Sequence, residues 1–437
     1  MQLYLFTEKF PYGKHETFLE NELPFLSEKF EQIIIIPLYK QNDLRKTPHN
    51  VDIWQEILVF NPKNKKKLLL DGIFNFSPFL FTIKEFFNKK VYSDKNRIWL
   101  FFTSLLMFRA IFANKKLWQR LFNEIKEEDK LYFYWGDNSA LIIPFLKKNI
   151  KNTIFVRFHR SDLYEKAKGY IPFRKYLLPE IDWLIPISEN GKDYLMDNYF
   201  YVDSKKIFVS RLGVFDNGLN ANKKDGEVFH LLSCSNMSPV KRIHLIIEAL
   251  SFVDFEIKWT HIGTGQLYDE IINTVKLLPA NVHVNLLGLL SNREVLDYYR
   301  HNHVDLFINV SESEGVPVSI MEALSFGVPT VATNVGGTGE IVDNNVGKLL
   351  DVNVSAQEIA DTIKLFANTD SLQFRKNARN RWNERCNAEK NYGEFTEFLC
   401  NKCSANTKTL QGRRLGAGGG TLSVIRTTNG QFHTKCH

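Results

Sequence analysis

Cysteine is scarce in this chain of 437 residues, and its placement excludes a disulfide-built fold. The five cysteines, Cys234, Cys386, Cys400, Cys403 and Cys436, are odd in number and gathered mostly towards one end. A secreted disulfide scaffold needs paired cysteines spread through a short chain. Cys400-x-x-Cys403 with Cys436-His437 can be drawn as zinc ligands, but the spacing fits no zinc finger, and no metal site is expected. Long apolar runs are also missing. The most apolar stretch, Ile98 to Phe108, is ended by Arg109, well short of the roughly 20 apolar residues that a membrane-spanning helix needs. Met1 to Phe6 is too short for a signal peptide and runs into Thr7-Glu8-Lys9. The expectation is a cytoplasmic protein that does not cross a membrane. With 24 Gly and 14 Pro there is no collagen-like repeat, and no short-period solenoid repeat is visible.

Neither sign of charge dominates: 56 Lys and Arg face 49 Asp and Glu, for a net charge of +7. That surplus is local. From Asn61 to Lys126 fourteen basic residues face four acids, Asp71, Glu85, Asp94 and Glu124. The same stretch is rich in Phe, and from Leu68 to Ile125 it reads as two long helices separated near Ser93-Asp94. One reading is attachment to an anionic membrane surface. The other is an ordinary core-facing helix pair with solvated lysines, favoured by Ile98–Phe108 being apolar all round. No base-stacking motif accompanies the basic stretch, so nucleic acid is not an expected partner.

What the chain has in quantity is apolar material, 44% of its residues, arranged in alternating short runs. Gln2–Phe6 and Gln32–Leu38 read as buried strands, with helical spacing of Leu19, Leu23, Leu26 and Phe30 between them. Pro24 falls inside that pattern and either speaks against the helix or kinks it. A continuous run such as Ile33–Ile36 points to a parallel sheet covered on both faces. Strands at Leu131–Trp135, Thr153–Phe158 and Trp183–Ile187 continue the series. After a polar linker, Asp216 to Gly226, a second series of alternating strands and helices runs from Val228 to Phe366. The spacing predicts an α/β protein of two doubly wound parallel-sheet domains. Boundaries fall at 1–212 for the N-terminal domain with its basic aromatic helices at 61–126, 213–385 for the C-terminal domain, 386–403 for a C-terminal helix, and 404–437 for an acid-free, glycine-rich tail expected to be disordered or extraneous.

The most informative stretch is Phe307 to Thr333, FINVSESEGVPVSIMEALSFGVPTVAT. A strand ends at Val310, a Ser/Glu loop follows, and a helix starts near Pro317, whose missing N–H suits a first helical turn. Free N–H groups at such a helix start favour phosphate or polyhydroxyl ligands. Glu314 lies just before the helix, and Glu322 lies about two turns in. A carboxylate accepting two hydroxyl protons suits a sugar diol. The alternative is an acidic cap and a solvated helix residue.

This segment resembles the E-x7-E signature of family 4 retaining glycosyltransferases of GT-B architecture. Gly327–Val342, Val304–Phe307, Gly263-Thr264-Gly265, Gly288 and Val209–Val214 resemble further family segments. The match is looser in the first 200 residues, at Phe10-Pro11-Tyr12-Gly13 and Arg157–Asp162. The resemblance implies two Rossmann-like domains facing across a cleft, the first on the acceptor side and the second holding the nucleotide sugar. It implies that Glu322 holds the ribose and Glu314 the donor sugar, with Gly315, Val316 and Pro317 placing backbone around sugar and phosphate. Lys241 would balance the departing diphosphate, and a fixed cation at that place has independent physical merit. His159 would contact the donor sugar, and Gly13 and Gly263 would lie near the donor. One departure stands out. The family usually carries an arginine where this chain has Asn236, so Arg242 is the candidate to replace its charge.

The resemblance thus implies a retaining hexosyltransferase using a UDP- or GDP-sugar, with no cofactor and no metal. Its acceptor would be a glycan or a lipid-linked glycan, and its location the cytoplasm or the inner face of a membrane, in cell-surface polysaccharide assembly. A nucleotide-sugar epimerase or phosphorylase of the same fold, and a non-catalytic sugar-nucleotide-binding subunit, are the alternatives.

Overall fold

A computed structural model describes residues 1–13, 16–39, 43–54 and 79–402. The basic stretch before residue 79, Cys403 and the tail with Cys436 and His437 lie outside the described residues.

Twelve strands form two parallel sheets. The first holds Gln2–Thr7 (β1), Gln32–Pro37 (β2), Val51–Ile53 (β3), Lys130–Phe133 (β4), Thr153–Phe158 (β5) and Trp183–Pro186 (β6), in the order β3-β2-β1-β4-β5-β6. The second holds Phe229–Cys234 (β7), Ile257–Ile262 (β8), Val282–Gly288 (β9), Leu306–Asn309 (β10), Thr330–Thr333 (β11) and Gly347–Leu350 (β12), in the order β12-β11-β10-β7-β8-β9. Both sheets therefore run outward from a central pair and reverse there, β1/β4 in one and β7/β10 in the other. In doubly wound sheets ligands bind outside the carboxyl ends of the strands at such a reversal.

The continuous apolar runs are explained by coverage on both faces. Successive side chains of a strand point to opposite sides. Tyr4, Phe6, Ile34 and Ile36 enter one core, while Leu3, Leu5, Ile33 and Ile35 enter another. The first is sealed by the helices Lys95–Phe112 and Lys115–Glu124, through Phe101, Met107, Phe108, Leu117 and Leu121. The second is sealed by the helix Phe18–Lys29 and by the C-terminal helix Ala388–Asn401. That last helix returns from the second domain to the first, where Phe398 stacks on Phe208 at 3.7 Å and Phe395 and Leu399 are fully buried.

Local details differ from the sequence reading. The helix Phe18–Lys29 runs unbroken through Pro24. The described part of the basic stretch forms three helices, Phe79–Asn88, Lys95–Phe112 and Lys115–Glu124, rather than two. The break after Phe112 comes at Asn114, whose side chain accepts from the Leu117 N–H and so starts a new helix. The last two helices bend by 58° at this break, and among the described residues no single helix is long and apolar enough to cross a membrane.

Candidate active site

Loops leaving β1, β4 and β5 in the first domain and β10 in the second line most of a cleft of about 380 Å³ between the domains. Glu16, Trp135 and His159 line it from the first domain; Glu314, Gly315 and Pro317 line it from the second.

On the second-domain side, the chain leaving β10 is stitched to the chain leaving β7. Glu312 N–H bonds to the Val240 carbonyl at 2.8 Å, and from the neighbouring β11 Thr333 Oγ1 donates to the Ser311 carbonyl. This brings Lys241 to Glu314, with Nζ 2.5 Å from Oε1. Asn309 Nδ2 approaches the same oxygen at 3.4 Å. The helix Val318–Ser325 then begins, with Pro317 in an extended conformation just ahead of it. Glu322 projects from its second turn, is nearly fully buried, and accepts from Asn292 Nδ2 at 2.5 Å. Burial pushes the Glu322 carboxyl up to about 7, against the opposing effect of the Asn292 hydrogen bond. The Cys234 thiol at the end of β7 is pushed up to about 12 by burial, then by Glu322, while Lys241 acts in the opposite sense. Lys241, Glu314 and Glu322 thus gather around the end of one central strand.

Glycines shape the Glu314 loop and its approach to the first domain. A Cβ on Gly336, at φ +55°, would lie 2.1 Å from the Glu314 carbonyl. One on Gly315 would press on Arg160 of the first domain. Here Arg160 Nε donates to Ser313 Oγ at 2.9 Å across the cleft. Nearby, Glu340 accepts from the Glu189 and Asn190 N–H groups at the start of the helix Glu189–Asn198, and pairs with Arg211.

The first-domain wall is built from three loops. His159 follows β5, and its N–H donates to Asp162 Oδ1 at 2.6 Å. The same carboxylate accepts the Gly136 N–H at 2.6 Å, tying the β4 and β5 loops together. The His159 ring is buried, and neither ring nitrogen has a hydrogen-bond partner among the described residues. Burial, then the nearby Arg157 charge, holds its value well below the ordinary one, so the ring is neutral.

The remaining sequence candidates fall elsewhere. Arg242 sits at φ +51° and donates to main-chain carbonyls, Nε to Val310 and Nη1 to Val352, both at 2.6 Å, while its buried Nη2 has no partner among the described residues. Two of its three nitrogens thus fasten two loops, and only Nη2 is left for the role of a second cation. Asn236 is exposed, and its carbonyl accepts from Ser238 N–H. A Cβ on Gly263 would lie 1.9 Å from the Ser235 carbonyl, so backbone contact explains this glycine. Gly13, at φ +63°, donates to the Asp43 carbonyl and is not among the residues lining the cleft. Sequence reasoning missed Glu16, Trp135, Asn292 and Glu340. An acid just ahead of a helix, as Glu16 is, looks like an ordinary end effect, and nothing in the sequence distinguishes it.

A second cavity of about 610 Å³ adjoins this wall in the first domain. Glu8, Asp137 and Lys168 form one side, and Trp99, Leu106 and Met107 of the apolar helix form the other. Glu8 is pushed up to about 7 by burial, then by Asp137 and Glu16. Among the described residues no three His, Cys, Asp or Glu side chains gather as a metal site would require.

Comparison with known proteins places this geometry. Residues 215–385 match the family described as glycosyl transferases group 1. An uncharacterized glycosyltransferase of Methanocaldococcus jannaschii, MJ1178, is 28% identical over 251 residues, which are 56% of this chain and 67% of that protein. The amylovoran biosynthesis glycosyltransferase AmsK of Erwinia amylovora is 26% identical over 220 residues, 46% of this chain and 52% of that protein. The chain thus matches between half and two thirds of the length of these relatives. The crystal structure of Anabaena Alr3699/HepE in complex with UDP superposes with a TM-score of 0.62 at 14% identity, covering 92% of this chain and 100% of that one. Two six-stranded parallel sheets, a cleft between them and these likenesses together establish a GT-B fold, in which residues 215–385 of the second domain match the glycosyl transferases group 1 model.

Proposed function

We propose that this protein is a retaining glycosyltransferase. It moves a hexose from a UDP- or GDP-sugar to a hydroxyl of a glycan or lipid-linked glycan in cell-surface polysaccharide biosynthesis. The observation that carries this reading is the Lys241–Glu314 pair, 2.5 Å apart, in which Glu314 lines the cleft just ahead of the helix Val318–Ser325 and Lys241 lies behind it on the loop after β7. A sugar–phosphate bond breaks with negative charge growing on the departing phosphate. A fixed ammonium and a helix N-terminus stabilise that charge in a site shielded from water. A bound diphosphate competes with Glu314 for Lys241, and that exchange frees the Glu314 carboxylate to accept from a sugar hydroxyl. Glu322 is the ribose ligand, and Asn292 holds it in place until the ribose arrives. His159, neutral and without a partner on its ring, can donate or accept at a sugar hydroxyl. Retention, with the leaving phosphate serving as base on the face where the acceptor attacks, rests on the family resemblance.

The acceptor side is supported by the second cavity and by the surface beyond it. Trp99 is 62% exposed, Phe102 48% and Phe87 62%, among exposed Lys84, Lys89, Lys90 and Lys95. Exposed aromatic rings interleaved with lysines suit an anionic bilayer surface, where a lipid-linked acceptor would be met. AmsK is named for amylovoran biosynthesis, and HepE is seen with UDP, which agrees with a nucleotide-sugar donor and a polysaccharide product.

The test is release of nucleoside diphosphate from a panel of nucleotide sugars, with and without membrane extract. Release that depends on the extract supports the transferase. Conversion without acceptor would make the protein an epimerase, and tight nucleotide binding without turnover would make it a non-catalytic subunit.

A further inference from the structure

We propose that Glu16 is a positioning residue that fixes the His159 ring in the cleft through Trp135. The inference rests on the reading of His159 as a sugar contact.

Glu16 is 8% exposed and lies at φ +56°, a conformation that a side chain of this size rarely adopts. Such a conformation persists only where the surroundings over-determine it. They do so here with four hydrogen bonds. Oε1 accepts the Glu8 N–H at 2.9 Å and the Trp135 indole N–H at 2.7 Å. Oε2 accepts the N–H groups of Lys9 at 2.7 Å and Phe10 at 2.6 Å. A carboxylate offers about four acceptor sites, and all are used. Glu16 lines the cleft yet has no capacity left for a ligand, so its role is to hold other groups.

The group it holds next is Trp135. The indole lies against the His159 ring, with centroids 4.4 Å apart, and Tyr134 lies on the ring at 4.8 Å. Asp162 fixes the His159 main chain, but no hydrogen bond fixes its ring. Aromatic contact is therefore what orients the imidazole. Of its two aromatic neighbours, Tyr134 is fully buried, while Trp135 is half-buried and is tethered at its polar end by Glu16. The chain of contact runs Glu16, Trp135, His159, cleft.

The full chain carrying Glu16→Gln tests this directly, because an amide turns an NH2 group towards N–H donors and breaks half of the clamp. Trp135→Phe is the milder second variant; it keeps an aromatic ring and the three main-chain bonds, and removes only the tether. Histidine 13Cε1 NMR, with His159 assigned by His159→Asn, reads the ring without any turnover. In the unaltered protein the buried His159 ring stays neutral well below its ordinary range, with Arg157 as the charge acting on it and the Asp162 carboxyl, itself pushed up to about 7 by burial, on its main-chain side. In both variants its titration moves up towards 6.5 as the ring reaches water. In the transfer assay Trp135→Phe lowers kcat about tenfold with the Kd for UDP and GDP unchanged, and it adds nothing in a His159→Ala background. An unaltered His159 resonance and titration in Trp135→Phe would overturn the proposal. If the resonance moves but His159→Ala leaves transfer intact, the fault lies with the sugar-contact reading, and the positional coupling stands.

Discussion

The two domains share one strand order and differ in what is hung on it. In the second sheet the chain passes from β9 to β10 through residues 289–305, a single helix Asn292–His301 with short loops. At the equivalent place in the first sheet, β3 to β4, it passes through residues 54–129, which carry three helices in their described part. The short link serves the site: its first helical residue, Asn292, holds Glu322. The long link covers one face of its sheet with Phe101, Met107 and Leu117, and turns Trp99 and Phe102 outward. A doubly wound sheet tolerates such growth because the link runs over a face rather than through the ladder, and longer loops cost little entropy. On the proposed reading, the second domain is compact because its loops converge on the nucleotide sugar, and the first has room to vary with its acceptor.

Breaking the first domain should have the largest effect. Glu22 and Arg157 form a fully buried pair, joined by Tyr132, Ser210 and the Phe395 ring of the returning C-terminal helix. Glu22→Ala leaves the Arg157 charge buried and unpaired, and we expect a loss of about 3–5 kcal/mol in denaturant unfolding. A loss confined to a few tenths would mean that the two halves are not locked together through this network.

Lys241→Ala tests the other half. Removing one preorganised group that stabilises developing charge typically costs about 10²–10³-fold in kcat, and that is the expected drop, with nucleotide affinity changed much less. Equal effects on Kd and kcat would show that Lys241 binds the ground state as strongly as the departing phosphate.

Glu322→Gln should weaken UDP or GDP binding by about tenfold, measured by calorimetry, because one charge-assisted hydrogen bond pair is lost. Its pH dependence is also specified. The Glu322 value of about 7 lies above the ordinary 4.5, so the folded protein keeps a proton that the unfolded chain has released. Its contribution to stability is therefore present at low pH and lost as pH rises through that window. Nucleotide binding moves the other way, since the ionised carboxylate is the better acceptor. Affinity should rise between about pH 6 and about pH 8, and Glu322→Gln should flatten the rise.

The smallest effect belongs to the surface of the long link. Replacing Trp99 and Phe102 together by Ser should lower co-sedimentation with anionic vesicles about tenfold while leaving nucleotide affinity unchanged. Equal partitioning of the variant would reduce the exposed aromatic face to incidental surface.

The legibility of the site follows the same division. Glu314, Lys241 and the helix after Pro317 lie on segments whose strand–loop–helix pattern is local, and such patterns are written in neighbouring residues. The two loop-fastening bonds of Arg242 were not legible, because its direction depends on a φ of +51° and on carbonyls in the loops after β10 and β12. The three helices of the basic stretch were read as two because the Asn114 cap looks like any polar residue within an apolar run.

By itself the sequence determined the alternation of elements, the parallel sheets buried on both faces, and the carboxylate and lysine candidates of the second domain. Those depend on periodicity and on the chemistry of contiguous residues. Only the tertiary structure decided that Lys241 meets Glu314, that Asn292 caps Glu322, and that Glu16 gathers three main-chain N–H groups and an indole. The main-chain bonds of Glu16 close its own loop, while the Lys241–Glu314, Asn292–Glu322 and Glu16–Trp135 contacts each join segments that follow different strands. Their geometry is set by where the two sheets reverse, which no local pattern encodes.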